Sequence, residues 1–392
     1  MTRLVSIALV ALILVKVYLV FGYGPLFAAD TTFLEDYADV LLSYKDWHRN
    51  IDLSSPEGKH LAERVIGYPA LIAFVKLFFG GVWATAIIAI QSLFSLLATV
   101  VLFRAILRLT TSKGWALFGA FCYATSLPLI WDSFVFYDSI LGSLLTVITS
   151  SLALIMLRDR PFLMSEAFTL GTLLAVAFLF KDVTLVIAFL FVPCIAYAAT
   201  LRNERGWLSV IAFITLFITP VCITYLGYNA WNHNRSGEAF VTSAARSALV
   251  VPLLRMAAVG EDVFTGDTAL AREARKEIDH PEFAKILDSR YAVVGPILRI
   301  NKALLDKADL NVVQISKLIE QFYRKTVATH PLKILRYAIT QVRPSLIRIF
   351  CQPIYGATFF YEVRTEPSDG DIGRLTRFHF LISKSKTDNS IW

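Results

Sequence analysis

Charged residues are scarce in this sequence of 392 residues, because Asp, Glu, Lys and Arg together make up only 18% of it. Soluble domains usually carry about a quarter. Hydrophobic residues account for 56% of the chain, and the mean hydropathy is +0.58. The shortage of charge excludes an ordinary water-soluble globule and indicates a membrane protein.

Cysteines and metal-binding motifs are also scarce. The four cysteines and six histidines show no disulfide or metal-ligand spacing. No glycine-rich nucleotide loop, HExxH motif or GxSxG motif occurs. We therefore expect no organic cofactor. The formal charge of +7 is explained by basic loops and one basic helix, so nucleic-acid binding is not expected either.

Long apolar runs are concentrated in the first 230 residues or so. A membrane-spanning helix needs about 20 predominantly apolar residues. Runs of this kind predict seven spans: Leu4 to Phe21, Val82 to Leu107, Trp115 to Trp131, Val135 to Leu157, Phe162 to Phe180, Val183 to Leu201 and Trp207 to Tyr228. The sequence thus predicts a transmembrane module at 1–229 and a polar, mainly helical segment at 230–392.

Basic residues precede the first predicted span and follow the second, fourth and sixth, whereas acidic residues predominate in the alternate connections. Lys and Arg in short loops mark the cytoplasmic side. This pattern predicts a cytoplasmic N-terminus, seven crossings and an outer C-terminal segment.

The first span is predicted to be an uncleaved anchor rather than a signal peptide, because its apolar run is long and bulky Phe27 does not suit a cleavage site. Lys16 lies two turns from the predicted outer end. We expect its ammonium group to snorkel toward the lipid head groups.

The predicted outer loop, 22–81, contains a cluster of carboxylates. The run from Asp30 to Tyr44 predicts a short amphipathic helix. On that helix Glu35 shares a face with Asp39, and so does Asp36. Two interpretations fit equally well: a solvated acidic surface, or a functional cluster that binds a cation or accepts a proton.

The same loop continues with Arg64-Val-Ile-Gly67-Tyr68-Pro69 and the apolar stretch Leu71 to Phe79. That stretch is too short to span a membrane, so it predicts an interfacial helix. Arg64 would contact a lipid head group or grip a phosphate with its planar guanidinium group.

Ionisable residues also occur at the predicted outer ends of later spans. Asp132 or Ser133 is interpreted as the N-cap of the fourth span. Asp138 stands more than a turn inside that span, where an ionisable residue indicates a functional site. Lys181 and Asp182 connect the fifth and sixth spans. They either pair with each other, or Lys181 faces the same outer cavity as Asp138 and the arginine of the outer loop.

These features, in this order, resemble the GT-C class of polytopic glycosyltransferases. More narrowly, they resemble bacterial relatives of the dolichyl-phosphate-mannose protein mannosyltransferases and of the lipid A sugar transferases. The matching segments, within residues 1–235, are Glu35-Asp36-Tyr37, Arg64-Val-Ile-Gly67-Tyr68-Pro69, Tyr137-Asp138-Ser139-Ile140-Leu141 and Phe180-Lys181-Asp182-Val-Thr184. The chain departs from the family in the placing of the acidic residues before Tyr37 and in having no further spans after the seventh.

The resemblance implies an all-α polytopic enzyme of the bacterial inner membrane. It would move a sugar from a polyprenyl-phosphate donor, held among membrane lipids, to a hydroxyl of a glycan, glycolipid or protein acceptor on the periplasmic face. An inverting displacement needs a base for the acceptor proton and a cation for the departing phosphate. Asp36 is implied as the base, with Glu35 as the second choice.

The resemblance also implies ligands for the donor phosphate: Arg64, Tyr68 and Lys181. Asp138 would support the site, together with Asp39. Asp138 and Asp36 would hold a divalent cation, Mg²⁺ or Mn²⁺, if one is used. Some relatives work without a metal, so both cases stay open.

The C-terminal segment predicts helices at Thr268 to Asp279, Pro281 to Arg290, Ala292 to Asp306 and Asn311 to Thr329. Residues 331–350 predict an amphipathic helix that lies on the membrane, with a basic face and a kink at Pro344. An eighth span is the alternative, which four cationic side chains disfavour.

Two other classes of function remain as alternatives. In a lipid or solute transporter or flippase, Asp138 and Lys181 would line a path, although the sequence shows no convincing repeat of broken helices. In a non-catalytic subunit of an envelope glycan assembly, Asp36 would lie far from both residues.

Overall fold

The computed structural model describes residues 3–340 except 28, 44–50, 126–130, 204–205, 282, 284–293 and 309. The described residues form helices and no strand, and Leu26 makes an isolated bridge with Phe134. The predicted all-α fold is therefore confirmed. The kink predicted at Pro344 and most of the helix predicted at 281–290 lie outside the described residues.

The helices follow one another along the chain. Their bounds are α1 Arg3–Tyr23, α2 Ala29–Ser43, α3 Pro56–Glu63, α4 Gly67–Phe79, α5 Trp83–Thr110, α6 Lys113–Thr125, α7 Asp138–Leu157, α8 Met164–Phe180, α9 Thr184–Asn203, α10 Trp207–Ser236, α11 Ser243–Ser247, α12 Val250–Ala258, α13 Ala269–Ile278, α14 Val294–Ala308 and α15 Val312–Thr329. A 3₁₀ turn at Gly80–Val82 separates α4 from α5. Residues 331–340 form a further helix, α16.

The described chain divides into two compact units. Unit 1 comprises residues 3–43 and 65–230, and unit 2 comprises residues 51–64 and 231–340. The predicted outer loop, 22–81, is thus shared between them, because α3 belongs to unit 2 while α2 and α4 belong to unit 1.

Within the part of the chain that the structure describes, four helical stretches are long and apolar enough to cross a membrane: Gly67–Thr110, Asp138–Leu157, Thr184–Leu201 and Trp207–Ser236. The other predicted spans correspond to α1, α6 and α8. Of these, α6 has 13 described residues and α8 has 17. The helices therefore support a membrane protein, whereas the number of seven spans stays a prediction.

The core of unit 1 contains apolar side chains from α7, α8, α9 and α10. Fully or almost fully buried members are Ile148, Leu170, Leu174, Ile195, Phe213 and Phe217. The helices approach one another closely at Gly171, where a Cβ atom would lie only 2.0 Å from the carbonyl oxygen of Phe217. Small residues at such crossings allow helix backbones to pack in membranes.

Gly171→Ala is therefore expected to force α8 and α10 apart and to lower stability by about 1–3 kcal/mol. Gly142 of α7 provides a matched control, because a Cβ atom there meets nothing within 4 Å. Alanine favours a helix over glycine, so Gly142→Ala should leave the Tm unchanged or raise it slightly. Thermal unfolding in detergent compares the two proteins, and equal shifts would contradict the close packing.

Unit 2 packs α12 to α15 around a separate apolar core that includes Leu253, Phe264 and Ile319. Helices α13 to α15 of unit 2 begin close to the residues at which the sequence predicts them to begin. The Asn311 side chain accepts hydrogen bonds from the backbone N–H groups of Val313 and Gln314, both at 3.0 Å. Such caps satisfy donors that have no partner inside the helix, which confirms the predicted start of α15.

The helix α16 has two different apolar faces. Ile334 and Tyr337 pack against the core of unit 2, whereas Leu332, Leu335 and Ile339 are exposed. The described half of the predicted 331–350 segment is therefore helical, as predicted. Its location on a membrane stays a prediction.

Candidate functional site

Lys16 of α1 forms a buried ion pair with Asp132, a residue in the segment before α7. The Lys16 ammonium nitrogen lies 2.7 Å from a carboxylate oxygen of Asp132, and the two residues are 2% and 0% exposed. The prediction that Lys16 snorkels toward head groups is therefore wrong. A buried charge is stable only when it is paired and hydrogen-bonded, and this pair meets that condition.

Two serines complete the polar shell of this pair. Lys16 donates a hydrogen bond to the Ser95 hydroxyl of α5. Ser139, in the first turn of α7, donates a hydrogen bond of 2.5 Å to the other carboxylate oxygen of Asp132. The pair thus connects α1, α5 and the start of α7.

Loss of one partner is expected to destabilise the protein strongly. Lys16→Met or Asp132→Asn alone leaves one buried charge uncompensated, which costs about 3–5 kcal/mol. The double substitution removes both charges, so its Tm should return close to that of the parent. Lys113→Met is the control, because Lys113 is exposed. Similar Tm values for Lys16→Met and Lys113→Met in detergent would contradict the buried pair.

Backbone groups of residues 131–135 are fixed by hydrogen bonds from three neighbouring elements. Gln91 of α5 donates to the carbonyl oxygens of Trp131 at 3.1 Å and Phe134 at 2.7 Å. Thr31 of α2 donates to the carbonyl oxygen of Val135 at 2.9 Å. The backbone of Leu26 pairs with the same segment. These bonds satisfy polar groups that would otherwise be buried without partners.

Asp138 and Lys181, both predicted site residues, form an ion pair. Their side-chain nitrogen and oxygen lie 3.1 Å apart, and the side chains are 26% and 36% exposed. The Lys181 nitrogen also lies 4.8 Å from the centre of the Tyr137 ring, within range of a cation–π interaction. Of the two predicted arrangements, the structure thus shows Lys181 beside Asp138, whereas an outer cavity shared with Arg64 stays a prediction.

Burial lowers the pKa of Lys181, but the neighbouring Tyr137 and Asp138 raise it by more, so the pKa lies above its ordinary value. The amine therefore stays cationic at neutral pH. A partly exposed cation of this kind attracts an anionic ligand.

The position of Asp138 on its helix differs from the prediction. It is the first residue of α7, and Tyr137 occupies the N-cap position. Asp138 therefore does not lie more than a turn inside a helix, and neither Asp132 nor Ser133 caps α7. The apolar residues before Asp138 belong to the segment that Gln91 and Thr31 hold, rather than to a span.

Tyr68 of α4 lies next to this pair without facing it. Its ring is fully buried, 6.3 Å from the ring of Tyr137 and 6.4 Å from that of Phe180. Its hydroxyl donates a hydrogen bond of 2.5 Å to Gln91. Because that hydroxyl already has a buried partner, the geometry suits a supporting role for Tyr68 better than contact with a phosphate.

The acidic residues of α2 form a second cluster, around Lys76 of α4. The Lys76 nitrogen lies 2.8 Å from a Glu35 oxygen and 2.6 Å from an Asp39 oxygen. Lys76 is eight residues beyond Tyr68, roughly 12 Å along the helix axis. Asp36 is exposed and forms no ion pair within the described chain. Among the described side chains, Glu35 and Asp39 therefore share the Lys76 cation, whereas Asp36 does not.

Arg64 lies in unit 2, at the C-cap of α3, whereas the other predicted site residues lie in unit 1. Nearby in unit 2, the buried Arg235 side chain donates hydrogen bonds to Asn232 at 2.8 Å and to the carbonyl oxygen of Leu61 at 3.1 Å. The bond to Leu61 holds the C-terminal end of α3 against Arg235 within unit 2. Arg235 and Asn232 carried no functional signal in the sequence.

The resemblance implies a divalent cation held by Asp138 and Asp36. Among the described residues, no group of three or more His, Cys, Asp or Glu side chains could hold a metal ion. Asp138 already faces the Lys181 ammonium group, whose charge would repel a second cation. These side chains do not fit a divalent cation, so the function below is proposed without one.

Sequence reasoning missed two residues of unit 1 that organise these clusters, Gln91 and Lys76, and it gave Lys16 the wrong role. Lys76 is the one charged residue of the apolar stretch Leu71 to Phe79, and this could have marked it.

Comparisons of the chain with known protein families, curated proteins and solved structures find no match.

Proposed function

We propose that this protein is a membrane glycosyltransferase that moves a sugar from a polyprenyl-phosphate donor to an acceptor hydroxyl on the outer face of a bacterial inner membrane. The acceptor would be a glycan, a glycolipid or a protein. Seven spans, a cytoplasmic N-terminus and a periplasmic C-terminal segment are parts of this proposal.

The ion pair between Lys181 and Asp138 carries the proposal. It joins residues from the start of α7 and the connection between α8 and α9, and both side chains remain partly exposed. Both positions flank helices that are apolar enough for a membrane. A lipid phosphate anchored by its tail would reach a cation in that position without leaving the bilayer.

Lys181 would contact the donor phosphate and stabilise the negative charge that develops as it departs. Asp138 would hold the flexible lysine side chain in place until the donor binds. The acceptor oxygen attacks the anomeric carbon, its bond to that carbon forms, and the bond from that carbon to the phosphate oxygen breaks. The products are the glycosylated acceptor and the polyprenyl phosphate.

Asp36 is proposed as the base that takes the acceptor proton. Glu35 and Asp39 both face Lys76, whereas Asp36 is exposed and unpaired among the described side chains. An unpaired carboxylate is free to accept a proton, and this favours Asp36 over Glu35. Arg64 is kept as a proposed contact of the donor phosphate.

Mass spectrometry of envelope glycolipids, polysaccharides and proteins tests this function. A deletion strain should lack one sugar mass on one acceptor and should accumulate the acceptor without that sugar. The difference in mass identifies the class of sugar, and the affected molecule identifies the acceptor. Identical glycan profiles in deletion and parent strains, grown under conditions in which the gene is expressed, would contradict the proposal.

A further inference from the structure

We propose that the buried pair of Lys16 and Asp132 positions the Asp138–Lys181 pair for its ligand. The sequence resemblance assigns no role to either residue. The inference rests on the proposed function only where it predicts an effect on sugar transfer. The coupling between Asp138 and Lys181 is measurable without any activity.

A continuous chain of contacts joins the two pairs. One carboxylate oxygen of Asp132 lies 2.7 Å from the Lys16 ammonium nitrogen, and the other accepts a hydrogen bond from the Ser139 hydroxyl. Ser139 directly follows Asp138 at the start of α7. The Ser139 side chain therefore links the first turn of α7, which carries Asp138, to the buried carboxylate of Asp132.

Other bonds to this region hold different atoms. Gln91, Thr31 and Leu26 bind backbone groups of residues 131–135, and none of these bonds reaches α7 itself. The bond from Ser139 to Asp132 is a side-chain link from this segment to the first turn of α7. The other oxygen of the same carboxylate faces the Lys16 ammonium group.

Burial makes this arrangement suitable for positioning. Lys16 and Asp132 are 2% and 0% exposed, so neither residue is accessible to a donor or an acceptor. Asp138 and Lys181 are partly exposed by comparison. A reactive pair on an exposed surface is held in place by a rigid shell behind it.

A double-mutant cycle on thermal stability tests the inference without reference to activity. In the parent, Asp138→Asn and Lys181→Met each remove the same ion pair. Together they should therefore lower the Tm by less than the sum of their single effects. The same cycle is then measured in a Lys16→Met/Asp132→Asn background, which lacks both charges of the buried pair. We expect the two effects to become additive there, because the pair is no longer held together. An unchanged coupling would overturn the inference.

Ser139→Ala provides a second test if the Lys16→Met/Asp132→Asn protein folds poorly. It removes the link between Asp132 and α7 but leaves the buried ion pair in place. The coupling between Asp138 and Lys181 should again be lost, whereas Ser150→Ala, at another buried serine of α7, should preserve it. Coupling that survives Ser139→Ala would contradict a positioning role.

Sugar transfer is the second readout. Misplacement of the Asp138–Lys181 pair is expected to lower the rate of transfer by about 10²-fold, both in the Lys16→Met/Asp132→Asn protein and in Ser139→Ala. A parent protein that transfers no sugar would refute the proposed function, but the cycle would still decide the positioning role. Full transfer in both variants would refute the positioning role alone.

Discussion

Replacing Asp36 with asparagine is expected to abolish sugar transfer while the protein stays inserted and folded. A general base contributes roughly 10²–10⁴-fold to the rate, and asparagine cannot accept the proton. The stability should hardly change, because the Asp36 side chain is exposed and forms no ion pair with a described residue. Transfer is measured with purified protein, and insertion and Tm are measured on the same samples.

The neighbouring carboxylates provide the controls for this experiment. Glu35→Gln and Asp39→Asn each remove a carboxylate that faces Lys76, so they should weaken the contact between α2 and α4. Surface ion pairs contribute only about 0–1 kcal/mol, and both proteins should therefore keep most of their activity. Full activity in Asp36→Asn, or loss of activity in Glu35→Gln alone, would contradict the assignment of the base.

Replacing Lys181 with methionine is expected to lower the maximal rate of transfer by about 10²–10³-fold, because the charge on the departing phosphate loses its cationic partner. Lys181→Arg keeps a positive charge with a different shape, so it should retain more activity than Lys181→Met. Steady-state kinetics over a range of donor concentrations measures both proteins.

Asp138→Asn separates the two roles in this pair. It keeps the Lys181 cation but removes the carboxylate 3.1 Å away that holds it. We therefore expect a smaller loss than for Lys181→Met. A larger loss for Asp138→Asn, with normal activity in Lys181→Met, would contradict phosphate binding by the lysine.

Some features of the fold could be predicted from the sequence because their causes are local. Asn311 and Thr268 precede helices α15 and α13 as N-caps, and their side chains accept from backbone N–H groups two or three residues ahead. The connection at Lys181 was also predictable, because two charged residues interrupt a long apolar run.

The errors concern contacts between residues that are distant in the chain. Lys16 is 116 positions from its partner Asp132, and no local pattern reveals that the two meet. Val135 to Tyr137 look like the start of a span because they are apolar. The backbone before Asp138 instead pairs with Leu26 and binds Gln91, so the helix begins later.

The candidate site could be predicted in part for the same reason. Asp138 and Lys181 were recognisable as charges beside apolar runs, and the structure brings them together. The environment of α2 was not recognisable, because Glu35 and Asp36 both share a helix face with Asp39, and this pattern does not reveal which of them faces Lys76.

Reconstitution in proteoliposomes tests the central proposal most directly. The purified protein is mixed with a lipid extract of the parent strain as the donor and with membranes of the deletion strain as the acceptor. We expect the polyprenyl-linked sugar to be consumed and free polyprenyl phosphate to appear, only when donor, acceptor and active protein are all present. Movement of the donor between the two leaflets without its consumption would contradict a glycosyltransferase and would favour a flippase.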